Sequence, residues 1–210
     1  MRIALVSDSY WPRVNGVSVS IQSFRDAFVE LGHDARIYCP FYPESYGVSP
    51  EEPTVRRLPS RPSRVSPEDR LLRIGAIPAF FRELDAFAPD VIHINTEFTM
   101  SLAARLYART RGYPLVVTSH TDYEDYANKY FRFPMPGFLR RVVRFMMCQY
   151  FKPADFLVTP SPSMRRKLHG YGIPAPIRVI PTGVPGLFAR PPIARVESYR
   201  ASLEIGRAHV

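Results

Sequence analysis

Short apolar runs recur along the chain at regular gaps: Ile3–Val6, Ala35–Cys39, Thr54–Leu58, Val91–Ile94, Leu115–Thr118, Phe156–Thr159 and Ile177–Ile180. Most are continuous rather than alternating, which is the pattern of strands buried on both faces of a parallel sheet. Between most of them the apolar spacing changes to three and four. Val17–Leu31 puts Ile21, Phe24, Phe28 and Leu31 on one helical face, with Gly32 placed as its C-terminal cap. Pro67-Glu68-Asp69 opens a second helical pattern, interrupted by Pro78 before Phe80, Leu84 and Phe87. Ser101–Arg111, Gly137–Lys152 and Ser161–Tyr171 supply three more. Residues 42–67 hold six prolines and no helical period, so an irregular surface excursion is expected there. Strand and helix alternation of this kind predicts an α/β, doubly wound parallel sheet of Rossmann-like type. Ligands of such a fold sit at the carboxyl ends of the strands.

Composition narrows this only a little. A chain of 210 residues with 46% hydrophobic and 22% charged residues is one ordinary globular domain, and disorder is excluded as its main description. The 22 prolines are about twice the usual share, and Pro40, Pro89, Pro114, Pro153, Pro160 and Pro181 fall at or beside element edges. Cys39 and Cys148 are the only cysteines, without metal or disulfide spacing, and read as small buried hydrophobes. No metal is expected. The apolar run at Ile3–Val6 is too short for an export signal and no window approaches a membrane span, so a cytoplasmic location is expected.

Charge changes the picture more. The net charge is +9, yet residues 129–170 alone hold nine cations against Asp155, a net of +8. On a helical wheel from Gly137 to Lys152, Arg140, Arg141, Arg144 and Lys152 fall within a sector of about 120°. Phe138, Leu139, Val142, Val143, Phe145, Met146 and Tyr150 take the remainder. Two readings stay open: an amphipathic helix lying on an anionic membrane, and a core-packed helix with a solvated basic face. No recognised nucleic-acid motif accompanies the patch, so nucleic acid is not expected as a partner.

Three polar groups are predicted to meet at one rim of the sheet. Ser9-Tyr10-Trp11-Pro12-Arg13-Val14-Asn15-Gly16-Val17 links the first strand to the first helix. Asn15-Gly16 reads there as a tight turn or as a cradle for an anion at the helix N-terminus. Thr96-Glu97-Phe98 follows the strand Val91–Ile94, and Ser119-His120-Thr121-Asp122-Tyr123 follows Leu115–Thr118. Singly, Thr96 reads as a helix cap and His120 as a hydrogen-bonded loop histidine. Together at one rim they make a candidate site. His33 and His169 lie beside glycines at helix ends and read as structural.

At this point a resemblance can be named. Ile3-Ala4-Leu5-Val6-Ser7-Asp8-Ser9-Tyr10-Trp11-Pro12 with Asn15-Gly16-Val17, then Leu31-Gly32-His33, resembles the start of glycosyltransferase family 4 enzymes. His120-Thr121-Asp122-Tyr123-Glu124-Asp125-Tyr126 resembles a segment of its lipid-glycosylating and mannosyl-transferring members. Ala154-Asp155, Pro160-Ser161 and Ile180-Pro181-Thr182-Gly183-Val184 with Phe188 resemble the close of its amino-terminal domain, although Pro185 stands where an acidic residue is usual. The resemblance covers about residues 1–203 and implies a GT-B architecture of two Rossmann-like domains. It implies metal-independent transfer of a sugar, with retained anomeric configuration, from a UDP- or GDP-linked nucleotide-sugar donor to a lipid or glycan acceptor, without a further cofactor. Carried over to this sequence, it makes His120 the catalytic contact to the transferred sugar and Asn15 and Gly16 the donor-diphosphate contacts. Tyr10, Glu97, Tyr123 and Tyr126 become acceptor contacts; Arg140, Arg141 and Arg144 are the membrane contacts expected from the basic face of the helical wheel, not from the resemblance.

The domain expectation is then 1–190 for the amino-terminal, acceptor-side domain and 191–204 for the start of an interdomain segment. Residues 205–210, Ile-Gly-Arg-Ala-His-Val, read as the translation of a widely used sequencing adapter, so a non-native tail and a longer natural chain are expected. The donor-binding domain of the family is not within the 210 residues, so inactivity alone is expected. A peripheral position at the inner face of the cytoplasmic membrane follows from the resemblance. Two alternatives remain: a nucleotide-sugar epimerase of the same fold, and a non-catalytic membrane-surface or interaction module.

Overall fold

The protein is described by a computed structural model over residues 1–47, 53–63, 68–122, 137–183 and 192–202. The strands are β1 (Arg2–Val6), β2 (Asp34–Pro40), β3 (Val55–Leu58), β4 (Ser60–Pro62), β5 (Arg70–Leu72), β6 (Val91–Ile94), β7 (Leu115–Thr118), β8 (Phe156–Thr159) and β9 (Ile177–Val179). The helices are α1 (Gly16–Glu30), α2 (Ile77–Phe87), α3 (Thr99–Arg111), α4 (Gly137–Phe151), α5 (Pro162–Gly170) and α6 (Ile193–Ser202). Seven strands form one sheet in the order β3-β2-β1-β6-β7-β8-β9, every pair parallel. These are the seven apolar runs of the sequence. The order reverses between β1 and β6, where a doubly wound sheet opens a crevice at its carboxyl edge.

Strand side chains alternate between the two faces, and each face has its own core. Ile3 and Leu5 of β1 join Ile37, Cys39 and Ile21 beneath α1, with Phe24 and Phe28 packed on them. Ala4 and Val6 face the other way, joining Ile92, Ile94, Phe80, Leu84, Met100 and Tyr107 under α2 and α3. Burying side chains such as Phe80, Leu84 and Ile92 completely is worth about 1.5–3 kcal/mol each. Asn15 caps α1, its side chain accepting from the Ser18 N–H, and Gly32 follows the helix at φ 80°, where only glycine is unstrained.

Two expectations fail. The expected irregular stretch contains β4, which pairs antiparallel with β5 (Ser60 with Leu72, Pro62 with Arg70). Pro67 lies outside the described residues, and Glu68-Asp69 leads into β5 instead of opening a helix. Helix α2 starts at Ile77 with Pro78 in its first turn, a position where the missing N–H costs nothing. Of the two readings of Asn15-Gly16, a tight turn or a helix N-terminus, the structure has the helix start.

Candidate functional site

The carboxyl ends of β1 and β6, with the loop after β7, enclose a cavity of about 420 Å³. Asp8, Ser9 and Asn15 come from the β1–α1 connection, Asn95, Thr96, Glu97 and Phe98 from the β6–α3 connection, and His120 and Thr121 from the loop after β7. Ser63, Asp69, Arg70 and Leu71 of the β4–β5 hairpin close it. Arg13 holds the hairpin to the first loop through an ion pair with Asp69.

Asp8 organises the crevice. The residue that precedes helix α3, Phe98, offers no side-chain cap. Asp8 supplies one from a distant strand: its carboxylate accepts from the Met100 N–H at 2.6 Å, the Ser101 N–H at 3.3 Å, the Thr96 hydroxyl at 2.9 Å and the Thr99 hydroxyl at 3.1 Å. A carboxylate at a helix N-terminus satisfies orphan N–H groups and meets the positive end of the dipole. Burial pushes the Asp8 pKa up, and these hydrogen bonds pull against that rise. So committed, Asp8 is a positioning group and not a nucleophile.

Two further polar groups of the crevice, the buried Asn95 and the half-buried His120, are committed to little. Asn95 donates to the His93 carbonyl at 3.1 Å, while its Oδ1 has no partner among the described residues. His120 Nε2 is buried and also has none. Burial lowers the His120 pKa to about 4, so the imidazole is neutral at pH 7 and its ring nitrogens can donate or accept. His93, behind it, bonds Thr118 Oγ1 at 2.7 Å, stacks edge-on to Phe24 and is lowered to about 3 by burial first and His120 second. An orphaned buried polar atom costs free energy unless something fills the cavity, so the pair Asn95 Oδ1 and His120 Nε2 points to a polar ligand.

Residues 14–185 match the description Glycosyltransferase Family 4. The chain belongs to that family. It is 31% identical, over 92% of its length, to an α-monoglucosyldiacylglycerol synthase of Streptococcus pneumoniae. It is 30% identical, over 83% of its length, to a GDP-mannose-dependent α-mannosyltransferase of Mycobacterium tuberculosis. It spans only 43% and 45% of those two proteins. Among solved structures, a sucrose-phosphate synthase of Thermosynechococcus elongatus superposes with a TM-score of 0.55 at 16% identity, covering 97% of this chain and 99% of that one. A UDP-N-acetylglucosamine 2-epimerase of Rickettsia bellii gives 0.56 at 13% identity, covering 98% of this chain and 52% of that one. Both likenesses are of fold: one Rossmann-like domain of the GT-B architecture.

The family 4 crevice brings together Asn15, Glu97 and His120 as the sequence places them. Gly16 lies beside them as the first residue of α1, with open space where a Cβ would be. Tyr10 is not on the crevice wall. Its ring is fully buried in the core under α1, and Arg57 lies over it at 5.9 Å, because the chain turns inward straight after Ser9. Tyr123 and Tyr126 lie outside the described residues. Arg140, Arg141 and Arg144 are exposed on α4, and so are Phe138 (76%), Phe145 (64%) and Met146 (59%). The exposed side of α4 is thus basic and apolar at once, and only Tyr150 and Phe151 are fully buried.

Asp8, Asn95 and Arg70 escape a reading of the sequence. Arg70 is buried in the crevice wall with its Nε donating to Ser60 Oγ at 3.1 Å. The one local signal was a polar residue at the end of an apolar run, straight after it at Asn95 and one residue on at Asp8. Among the described residues no cluster of three or more His, Cys, Asp or Glu is arranged to hold a metal, and no helix is long and apolar enough to cross a membrane.

Proposed function

We propose that these residues form the acceptor-side half of a retaining glycosyltransferase that moves a sugar from a UDP- or GDP-linked donor to a lipid or glycan acceptor. The observation that carries the reading is the pair of buried atoms without a partner among the described residues, His120 Nε2 and Asn95 Oδ1, in one crevice at the reversal of strand order. A sugar offers hydroxyl groups that both donate and accept, which is what a neutral imidazole and an amide carbonyl require. His120 and Asn95 bind and orient the transferred sugar. The first N–H groups of α1, beginning at Gly16, face the leaving diphosphate, since a helix N-terminus favours an anion. Charge develops in the reaction as the sugar–phosphate bond breaks, and groups fixed by burial stabilise it without reorganising.

The acceptor enters from the side of Glu97, with Tyr123 and Tyr126 as further contacts. The exposed basic and apolar side of α4 supports peripheral contact, through Arg140, Arg141 and Arg144, with the inner face of an anionic cytoplasmic membrane. The epimerase alternative has only fold likeness behind it, whereas family 4 membership favours transfer. Orphaned polar atoms in an enclosed crevice speak against a purely non-catalytic module.

The test is transfer of labelled sugar from UDP-glucose or GDP-mannose into a diacylglycerol or mannoside acceptor. Joined to a donor-binding domain of the family, these residues are expected to support turnover. The 210 residues by themselves are expected to give none, and robust transfer by them would overturn the two-domain reading.

A further inference from the structure

A second cavity, of about 560 Å³, lies at the opposite edge of the sheet, between the last turns of α3 and α4 and the starts of β7 and β8. Arg105 and Arg109 of α3 and Lys152, just past α4, line it together with Gln149 and Asp155. Three cations thus face one carboxylate, and that carboxylate already accepts from the Leu115 N–H at 2.8 Å. Arg105 fixes the walls to each other: it donates to the Tyr150 carbonyl at 2.7 Å and its guanidinium lies 5.0 Å from the Tyr150 ring centre. Arg109 and Lys152 are exposed and form no ion pair among the described residues. Like charges held around a cavity repel one another unless an anion occupies it.

The exposed apolar side chains of the two helices that line the cavity say which anion. Leu102 (48% exposed) and Leu106 (53%) lie on the outer side of α3, and Phe145 and Met146 on the outer side of α4. Phe138, Arg141, Phe145, Gln149 and Lys152 follow one another at helical spacing, so one exposed stripe of α4 runs from aromatic residues into the cation-lined cavity. We infer that this cavity binds the phosphate of an anionic membrane lipid, with the acyl chains lying along the exposed leucine, phenylalanine and methionine side chains. The site extends the membrane contact proposed for α4 and does not depend on sugar transfer.

The test uses the 210-residue chain and dihexanoyl-phosphatidylglycerol below its micelle concentration, with inorganic phosphate and dihexanoyl-phosphatidylcholine as comparators, followed by amide chemical shifts. Saturable binding of the anionic lipid is expected, with shifts at Arg109, Gln149 and Lys152. The double variant Arg109→Glu, Lys152→Glu, both at exposed positions, should weaken it about tenfold or more with an unchanged melting temperature. Charge reversal at Arg140 and Arg144, which lie off that stripe, should weaken partition onto anionic vesicles yet leave binding of the single lipid within about twofold. Failure of that vesicle effect alone would count against the α4 surface and leave the cavity standing. Monomeric lipid binding that ignores the Arg109 and Lys152 changes would overturn the inference. So would inorganic phosphate binding as tightly as the lipid, which would make this a site for free phosphate.

Discussion

At the carboxyl rim the polar groups are buried or half-buried, mostly uncharged, and held in place by hydrogen bonds that span the sequence. Asp8 reaches four donors between Thr96 and Ser101, and Asn95 and His120 are left with one open position each. At the amino edge, between α3 and α4, the groups are cationic and exposed, and they are interleaved with apolar side chains that no core covers. The first arrangement fixes geometry at the cost of desolvation and so can discriminate between ligands. The second adds electrostatic and apolar attraction with little effect on the fold, and salt should screen it.

The largest expected difference between the two regions is in stability. Asp8→Ala strands the N–H groups at the start of α3 and should lower unfolding free energy by about 3 kcal/mol in urea titration. Asp8→Asn, which keeps one acceptor, should cost less. A loss below about 1 kcal/mol for Asp8→Ala would mean that water replaces the cap and the crevice is not rigid.

Acid should separate the regions next. His93 and His120 are held neutral when folded, at about 3 and about 4, against 6.5 when free. As pH falls below 6.5 the unfolded chain takes up protons that the folded chain refuses, so stability falls between pH 6.5 and about 4. The loss is about 1 kcal/mol per histidine at the first pH unit below 6.5. His93→Gln should remove part of that slope in melts run from pH 7 to 5, and an unchanged slope would contradict the burial of His93.

Smaller still is Gly16→Ala. No atom lies within 4 Å of the added methyl, so stability should change by no more than about 0.5 kcal/mol. Donor KM in a two-domain enzyme should nonetheless rise several-fold, because the methyl occupies the approach of the diphosphate; an unchanged KM would remove Gly16 from the donor side. Smallest in stability is charge reversal at Arg140, Arg141 and Arg144, expected within about 0.5 kcal/mol. A change well above that would show these arginines packed against the fold.

The sheet was legible because strands buried on both faces leave apolar runs, continuous in most and interrupted by arginine in β2, β3 and β9. The β4–β5 pair was not: Ser60-Arg61-Pro62 and Arg70-Leu71-Leu72 are too short and too charged to show a period. Pro67-Glu68-Asp69, meanwhile, imitates a helix start. At the site, Asn15, Glu97 and His120 could be read because strand ends meet at one rim of a doubly wound sheet. Asp8 could not, because its partners lie 88 to 93 residues away and nothing local announces a cap borrowed from another strand. Tyr10 misleads for the converse reason. It stands among loop residues in sequence, yet its ring drops into the core.

The measurement that bears most directly on the crevice as the transfer site is kcat/KM of His120→Ala in an enzyme holding these residues beside a donor-binding domain. The melting temperature is recorded alongside. The expected result is a fall of about 100-fold or more with the fold intact, the scale at which losing one preorganised polar contact is felt. Near-normal kcat/KM in the folded variant would take His120 out of the site and contradict the account.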